Sequence, residues 1–231
     1  MEIHKRLKKR VVILPLLVCL LVPILFTLSV KLVDRGEVQY SNSSETQEIG
    51  YANLNLATRQ NYNASADRIS DVLMVVGFLP LAAVGVLGLR EVVRKKSLKI
   101  SADYYIYALM MAVIAGIYLV FDHLFVLNYQ PIFATPLKPS FPSTHTMIMI
   151  GISATSIIMV RKIVGNSTRK GVRIMEKIAE IALILGMIAM PVLRVFSGEH
   201  WLTDVAGGVI FGLAVAAIFA LLVTVIPAKK R

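Results

Sequence analysis

The apolar residues of this chain fall into six blocks, each near the length of a membrane-crossing helix, and that grouping limits the fold more than any motif. About 20 consecutive apolar residues cross a bilayer as a helix. The blocks lie at roughly 11–32, 71–89, 104–127, 144–160, 178–195 and 203–227. Of the 231 residues, 56% are hydrophobic, and the mean hydropathy of +0.70 is far above that of a soluble domain. Hydrocarbon offers the backbone no hydrogen-bond partners, so each block is predicted to be helical. The expectation is an all-α, polytopic membrane protein with six transmembrane helices, forming one unit over 1–231. The lone cysteine, Cys19, lies inside the first block, which excludes a disulfide framework. No Cys/His cluster has zinc-ligand spacing.

Charge supplies the orientation. The net charge is +11, and the cations are not evenly spread. Lys5, Arg6, Lys8, Lys9 and Arg10 precede the first block. Arg90, Arg94, Lys95, Lys96 and Lys99 follow the second. Arg161, Lys162, Arg169, Lys170, Arg173 and Lys177 follow the fourth, and Lys229, Lys230 and Arg231 follow the last. The other side has Lys31, Arg35, Arg59, Arg68, Lys138 and Arg194, with the acids Asp34, Glu37, Glu45, Glu48, Asp67 and Asp71. The positive-inside rule predicts both termini in the cytoplasm of a multi-pass cell-membrane protein. The basic excess is a topology signal and an attractant for anionic lipid, not a nucleic-acid surface. The first block is long for a signal peptide and lacks an A-x-A-like site, so an uncleaved span is expected. The polar outer connection, about 33–70, shows no periodicity and reads as a solvated loop. Asn42-Ser-Ser, Asn63-Ala-Ser and Asn166-Ser-Thr match the glycosylation pattern, the last on the expected cytoplasmic side. Gly77, Gly85, Gly88, Gly207 and Gly208 read as sites of close helix packing.

Two polar clusters interrupt this apolar background. Pro142-Ser143-Thr144-His145 opens the fourth block, and Arg194-Val-Phe-Ser-Gly-Glu-His200-Trp-Leu-Thr-Asp204 joins the fifth to the sixth. The chain runs inward and back between them, so both belong to the outer face. Ser143 is a candidate N-cap, with Thr144, His145 and Thr146 in the first turn, where free N–H groups attract an anion. Arg194 is suited to grip phosphate oxygens through two parallel bonds. His200 and Asp204 are four residues apart. On a helix they share a side, and Asp204 is expected to accept a hydrogen bond from one ring nitrogen, leaving the other free to attack phosphorus. Trp201 suits the headgroup level.

Each residue has a plainer reading. His145 or His200 alone is a polar residue at the water boundary. Ser-Thr-His alone is a helix cap, Arg194 alone a snorkelling anchor, and Asp204 beside Gly207-Gly208 a turn. The plain readings must all hold together to dismiss the constellation.

These residues resemble the type 2 phosphatidic acid phosphatase superfamily over roughly 120–215. Its motifs are K-x6-R-P, P-S-G-H and S-R-x5-H-x3-D. Pro142-Ser143-Thr144-His145 matches the second with Thr for Gly. Arg194-x5-His200-x3-Asp204 matches the third from its Arg onward, with Leu193 in place of Ser. The first motif departs: His123 falls at the Lys position and Gln130, before Pro131, at the Arg position, with Lys138 nearby as a substitute donor. The resemblance implies a metal-independent, cofactor-free lipid phosphate phosphatase facing the extracytoplasmic side. His200 is then the nucleophile, Asp204 its orienting partner and His145 the proton donor. Arg194, Ser143, Thr144, Gln130, His123 and Lys138 would bind phosphate. Phosphatidic acid, phosphatidylglycerol phosphate and a polyprenyl diphosphate all fit as substrates. The competing expectation is a weak or inactive relative that binds lipid or a protein partner. A transporter ranks third, because no repeat of broken helices is present. Oligomeric state is not legible.

Overall fold

The computed structural model describes residues 2–34, 36–39, 46–49, 62–131, 138–165 and 167–226, with the backbone alone at 2–11, 37–39 and 46–49. Asn42, Asn166, Arg35, Glu45, Arg59, Lys229, Lys230 and Arg231, named above, lie outside the described residues. Among the described residues, six helices are long and apolar enough to span a membrane. They are α1 (Glu2–Leu32), α2 (Ala64–Lys95), α3 (Ala102–Leu119), α4 (Thr144–Val164), α5 (Lys170–Ser197) and α6 (Leu202–Val225). α3 continues into a π-helical turn, Val120–Leu124. The proline residues within α1, α2 and α5 do not end these helices, as is common where neighbouring spans restore backbone bonds.

Two features differ from the sequence reading. The outer connection is not all loop: β1 (Gly36–Gln39) and β2 (Thr46–Ile49) pair antiparallel within it, Gly36 opposite Ile49. Its last residues belong to α2, which starts at Ala64 rather than about 71. Asn63 explains that early start. Its Oδ1 accepts from the Ser65 and Ala66 N–H groups, both at 3.1 Å, and caps the helix. The Asn63 N–H in turn donates to the Ser197 carbonyl at 3.0 Å. The start of α2 is therefore tied to the end of α5.

α4 is the central helix. Half of its apolar window is buried within the protein, against 6% for α1. It packs on α2, α3, α5 and α6. Met147, Ile152 and Met159 of α4 meet Ile106, Tyr107 and Met110 of α3 and Phe219 of α6. Outward residues such as Leu79, Val93 and Leu185 stay apolar and exposed, as a lipid-facing surface requires. α1 packs on α6, and Phe26, Phe121, Phe141 and Phe211 cluster around that contact.

Glycines set the closest approaches. A Cβ at Gly208 would lie 2.6 Å from the Ser143 carbonyl oxygen, and one at Gly212 would lie 2.9 Å from that of Met147. These are backbone atoms, so no rotamer change relieves the clash. α6 therefore seats its small face on the first turns of α4. Gly207 meets Phe141, Gly88 meets Tyr104 and Gly77 meets Met149, whereas Gly85 faces open space. Packing accounts for four of the five glycines singled out in the sequence.

Alternation of the spans puts the starts of α2, α4 and α6 at one end of the bundle with the ends of α1, α3 and α5. The opposite end carries Lys96, Arg161, Lys162, Arg169 and Lys170. There Lys162 Nζ donates to Asp103 Oδ1 at 2.7 Å and to the Val223 carbonyl at 3.0 Å.

Candidate active site

Three helix starts and one helix end meet at the first end of the bundle. Ser143, fully buried, donates its N–H to the Asp204 carbonyl at 2.9 Å. That bond joins the two sequence clusters directly. Ser143 takes the N-cap position of α4, but its hydroxyl bonds Thr146 Oγ1 at 3.2 Å and does not cap the backbone. Half-buried Thr144 begins the helix. The first-turn N–H groups are left without a side-chain cap, as an anion seat requires. Arg194 and His200 both lie within electrostatic reach of His145.

His200 does not bond as the spacing suggested. Its Nδ1 is 3.8 Å from Asp204 Oδ2, beyond hydrogen-bond length. Nδ1 lies 3.0 Å from the Ser140 carbonyl instead. A carbonyl only accepts, so Nδ1 carries the proton and Nε2 keeps its lone pair. The tautomer with Nε2 unprotonated is therefore set by backbone, with the Asp204 carboxylate 3.8 Å from Nδ1. Asp204 itself is held from two sides: Oδ2 accepts from the Trp201 N–H at 3.0 Å, and Oδ1 accepts from Asn128 Nδ2 at 2.7 Å. The i to i+3 geometry that caps α6 is what draws the carboxylate away from the imidazole.

Arg194 is 1% exposed, and acids already occupy it. Nη1 donates to Asp67 Oδ1 at 2.7 Å and to Ser70 Oγ at 2.9 Å, and Nη2 donates to Glu199. Its Nε is buried without a partner. His145 Nε2 lies 3.0 Å from Asp71 Oδ1, so that nitrogen carries the proton and donates. Tyr62 closes the row, donating its hydroxyl to Asp67 Oδ2 at 3.1 Å. That bond raises the phenol above its ordinary pKa. Asp67, Ser70 and Asp71 all stand on the first turns of α2.

The candidates from the first motif are placed differently. His123 is on the exposed π-helical turn, against Asp122 at 3.4 Å and the Tyr118 ring. Its bonds reach none of the residues just described. Gln130 is half-buried, and its N–H donates to the Lys138 carbonyl at 2.9 Å. Lys138 is exposed. These two residues belong to a short antiparallel bridge in which Tyr129 opposes Pro139 and the Ser140 N–H donates to the Asn128 carbonyl. Trp201 Nε1 donates to the Tyr129 carbonyl at 2.7 Å. The bridge thus presents Asn128 and the Ser140 carbonyl to the site. Both side chains keep an unpartnered buried oxygen, Asn128 Oδ1 and Ser140 Oγ.

The sequence reading missed Asp67, Ser70, Asp71, Asn128, Ser140 and Glu199. For three of these a signal existed: Asp67-x2-Ser70-Asp71 has the i, i+3, i+4 spacing of one helix face. Nothing local distinguishes Asn128 or Ser140.

A family model described as the PAP2 superfamily matches residues 81–227. No curated protein matches the chain by sequence. Among solved structures, it is similar to one described as the first transmembrane PAP2 type phosphatidylglycerolphosphate phosphatase from Bacillus subtilis. The TM-score is 0.56 at 16% identity, over 89% of this chain and 93% of that one. At that identity the likeness is one of fold.

Proposed function

The chain belongs to the PAP2 superfamily, and on that premise we propose that it hydrolyses a lipid phosphate monoester or diphosphate, without a metal ion, at the extracytoplasmic face. The observation that carries this reading is the His200 ring, held at Nδ1 by the Ser140 carbonyl with no partner at Nε2 among the described residues, and within electrostatic reach of His145, which buried Arg194 also reaches. In the first step Nε2 attacks phosphorus and the P–O bond to the lipid breaks. His145, entering as the imidazolium with its Nε2 proton held in the bond to Asp71, gives its Nδ1 proton to the departing oxygen. In the second, His145 takes a proton from water, whose oxygen attacks phosphorus. The P–N bond breaks, releasing phosphate and restoring His200. The nearby Asp204 carboxylate stabilises the imidazolium charge. Arg194 Nε, Ser143 and the first-turn N–H groups at Thr144 are the donors for the phosphoryl oxygens.

An embedded enzyme suits a substrate whose tails stay in lipid while the headgroup enters the polar end. The Bacillus subtilis neighbour is named for phosphatidylglycerolphosphate, which makes that lipid the first to test, with phosphatidic acid and a polyprenyl diphosphate beside it. One observation favours the second reading, a binding protein without turnover. Asp67 and Glu199 already hold Arg194, and the two cations of the first motif are absent.

Purified protein offered this panel with a chelator separates the two. Phosphate release that vanadate blocks and His200→Ala abolishes supports the enzyme. Silence from a folded sample that still binds the lipids supports the second reading.

A further inference from the structure

A groove of about 850 Å³ lies between α2, α4 and α5, in the half of the bundle away from the site. No residue of the site lines it. It runs along α2 from Val76 to Leu87. That is about 16 Å at the helical rise, roughly half the ~30 Å hydrocarbon core and so the depth of one leaflet. Its volume is within the range of about 300–1,000 Å³ that holds a ligand, and its walls are almost entirely apolar, as at Leu79, Ala83 and Met175.

The two ends of the groove differ. Toward the site, Met149 fills the space between α2 and α5, one turn after His145. It lies against Gly77 and Gly186, where a Cβ on either would collide with it. Substrate tails therefore have no direct path from the site into the groove. The far end is rimmed by Arg161, Arg169, Glu176 and Glu180. Arg161 and Lys177 both pair with Glu180. Arg169, with Lys170 and Arg173 just beyond it, carries no ion pair among the described residues. From Arg161 to Lys177 the chain has six cations against the single acid Glu176.

We propose that this groove binds an anionic phospholipid from the leaflet opposite the active site, one acyl chain lying along α2 and its phosphate on Arg169. An apolar groove of one-leaflet depth, open to the lipid along its side, suits an acyl chain, and a cation at its mouth with no ion pair among the described residues suits an anionic headgroup. Basic pockets between spans recognise anionic lipids in this way. The headgroup phosphate is a ligand here and undergoes no reaction.

Native mass spectrometry of delipidated protein tests the assignment, with dioleoyl phosphatidylglycerol or dioleoyl phosphatidylcholine added back. The expected result is one phosphatidylglycerol retained in preference to phosphatidylcholine. Arg169→Glu, an exposed change, lowers that affinity about tenfold or more. Ala83→Trp removes the retained lipid by filling the slot. Equal retention of the two lipids, or wild-type phosphatidylglycerol occupancy in a monodisperse Ala83→Trp sample, overturns the proposal. The readout is bound lipid, so it is independent of hydrolysis.

Discussion

His200 shows how far a candidate catalytic side chain depends on neighbours that carry no motif. Its proton is placed by a backbone carbonyl from Ser140, sixty residues away. Asp204, the partner suggested by spacing, is buried and held by Asn128 and the Trp201 N–H. Asn128→Ala removes one of these two donors from a buried carboxylate, which costs about 1–3 kcal/mol. Thermal unfolding in detergent should show the loss, and kcat should fall while KM holds, because Asn128 acts through Asp204. Arg194 poses the opposite problem, since carboxylates occupy it where phosphate is expected. Glu199→Gln keeps the shape and removes a competing charge. The expected result is a lower KM for lipid phosphate with kcat changed only a few-fold. An unchanged KM would mean that phosphate does not contend with Glu199 for the guanidinium.

At the level of elements, the site depends on how closely helix starts can approach one another. Gly208 lets α6 rest on the Ser143 carbonyl, and that contact holds Ser143 against Asp204. Gly208→Ala forces the two backbones apart. Overpacking of this kind costs about 1–3 kcal/mol, and here it also separates the second and third motif residues. Activity is expected to fall further than stability alone explains. Gly85→Ala faces open space and serves as the control, with turnover unchanged and an unfolding temperature no lower than that of the parent, since alanine is the better helix former. A second link between elements, the Asn63 N–H to the Ser197 carbonyl, fixes α2 beside α5 and delivers Asp67 and Asp71 to the site.

Across the whole molecule, charge divides the two ends. The polar site occupies one, and the cations of the α4–α5 connection occupy the other, with the lipid groove beneath them. The extracytoplasmic placement proposed for the site rests on the positive-inside rule. Cysteine labelling checks it in a Cys19→Ser background. A membrane-impermeant maleimide should reach Lys138→Cys in intact cells and Lys170→Cys only after permeabilisation. The reverse pattern would turn the site toward the cytoplasm.

The six spans were legible in the sequence because the free energy of placing residues in hydrocarbon sums over a window of about twenty. Span ends were less so: the early start of α2 follows from Asn63, a single cap. Alternation of the spans was also legible, and with it the gathering of Ser143, His145, Arg194, His200 and Asp204 at one end. Partner choice was not. Arg194 and Asp67 are 127 positions apart, and Asn128 and Asp204 are 76 apart. A hydrogen bond forms only within about 3.2 Å, and no local pattern sets a distance that fine between remote residues. The glycine contacts and the short bridge beside Ser140 set those distances. Spacing alone therefore pointed His200 at Asp204 and Arg194 at phosphate, whereas packing turned the first toward a carbonyl and the second toward two acids.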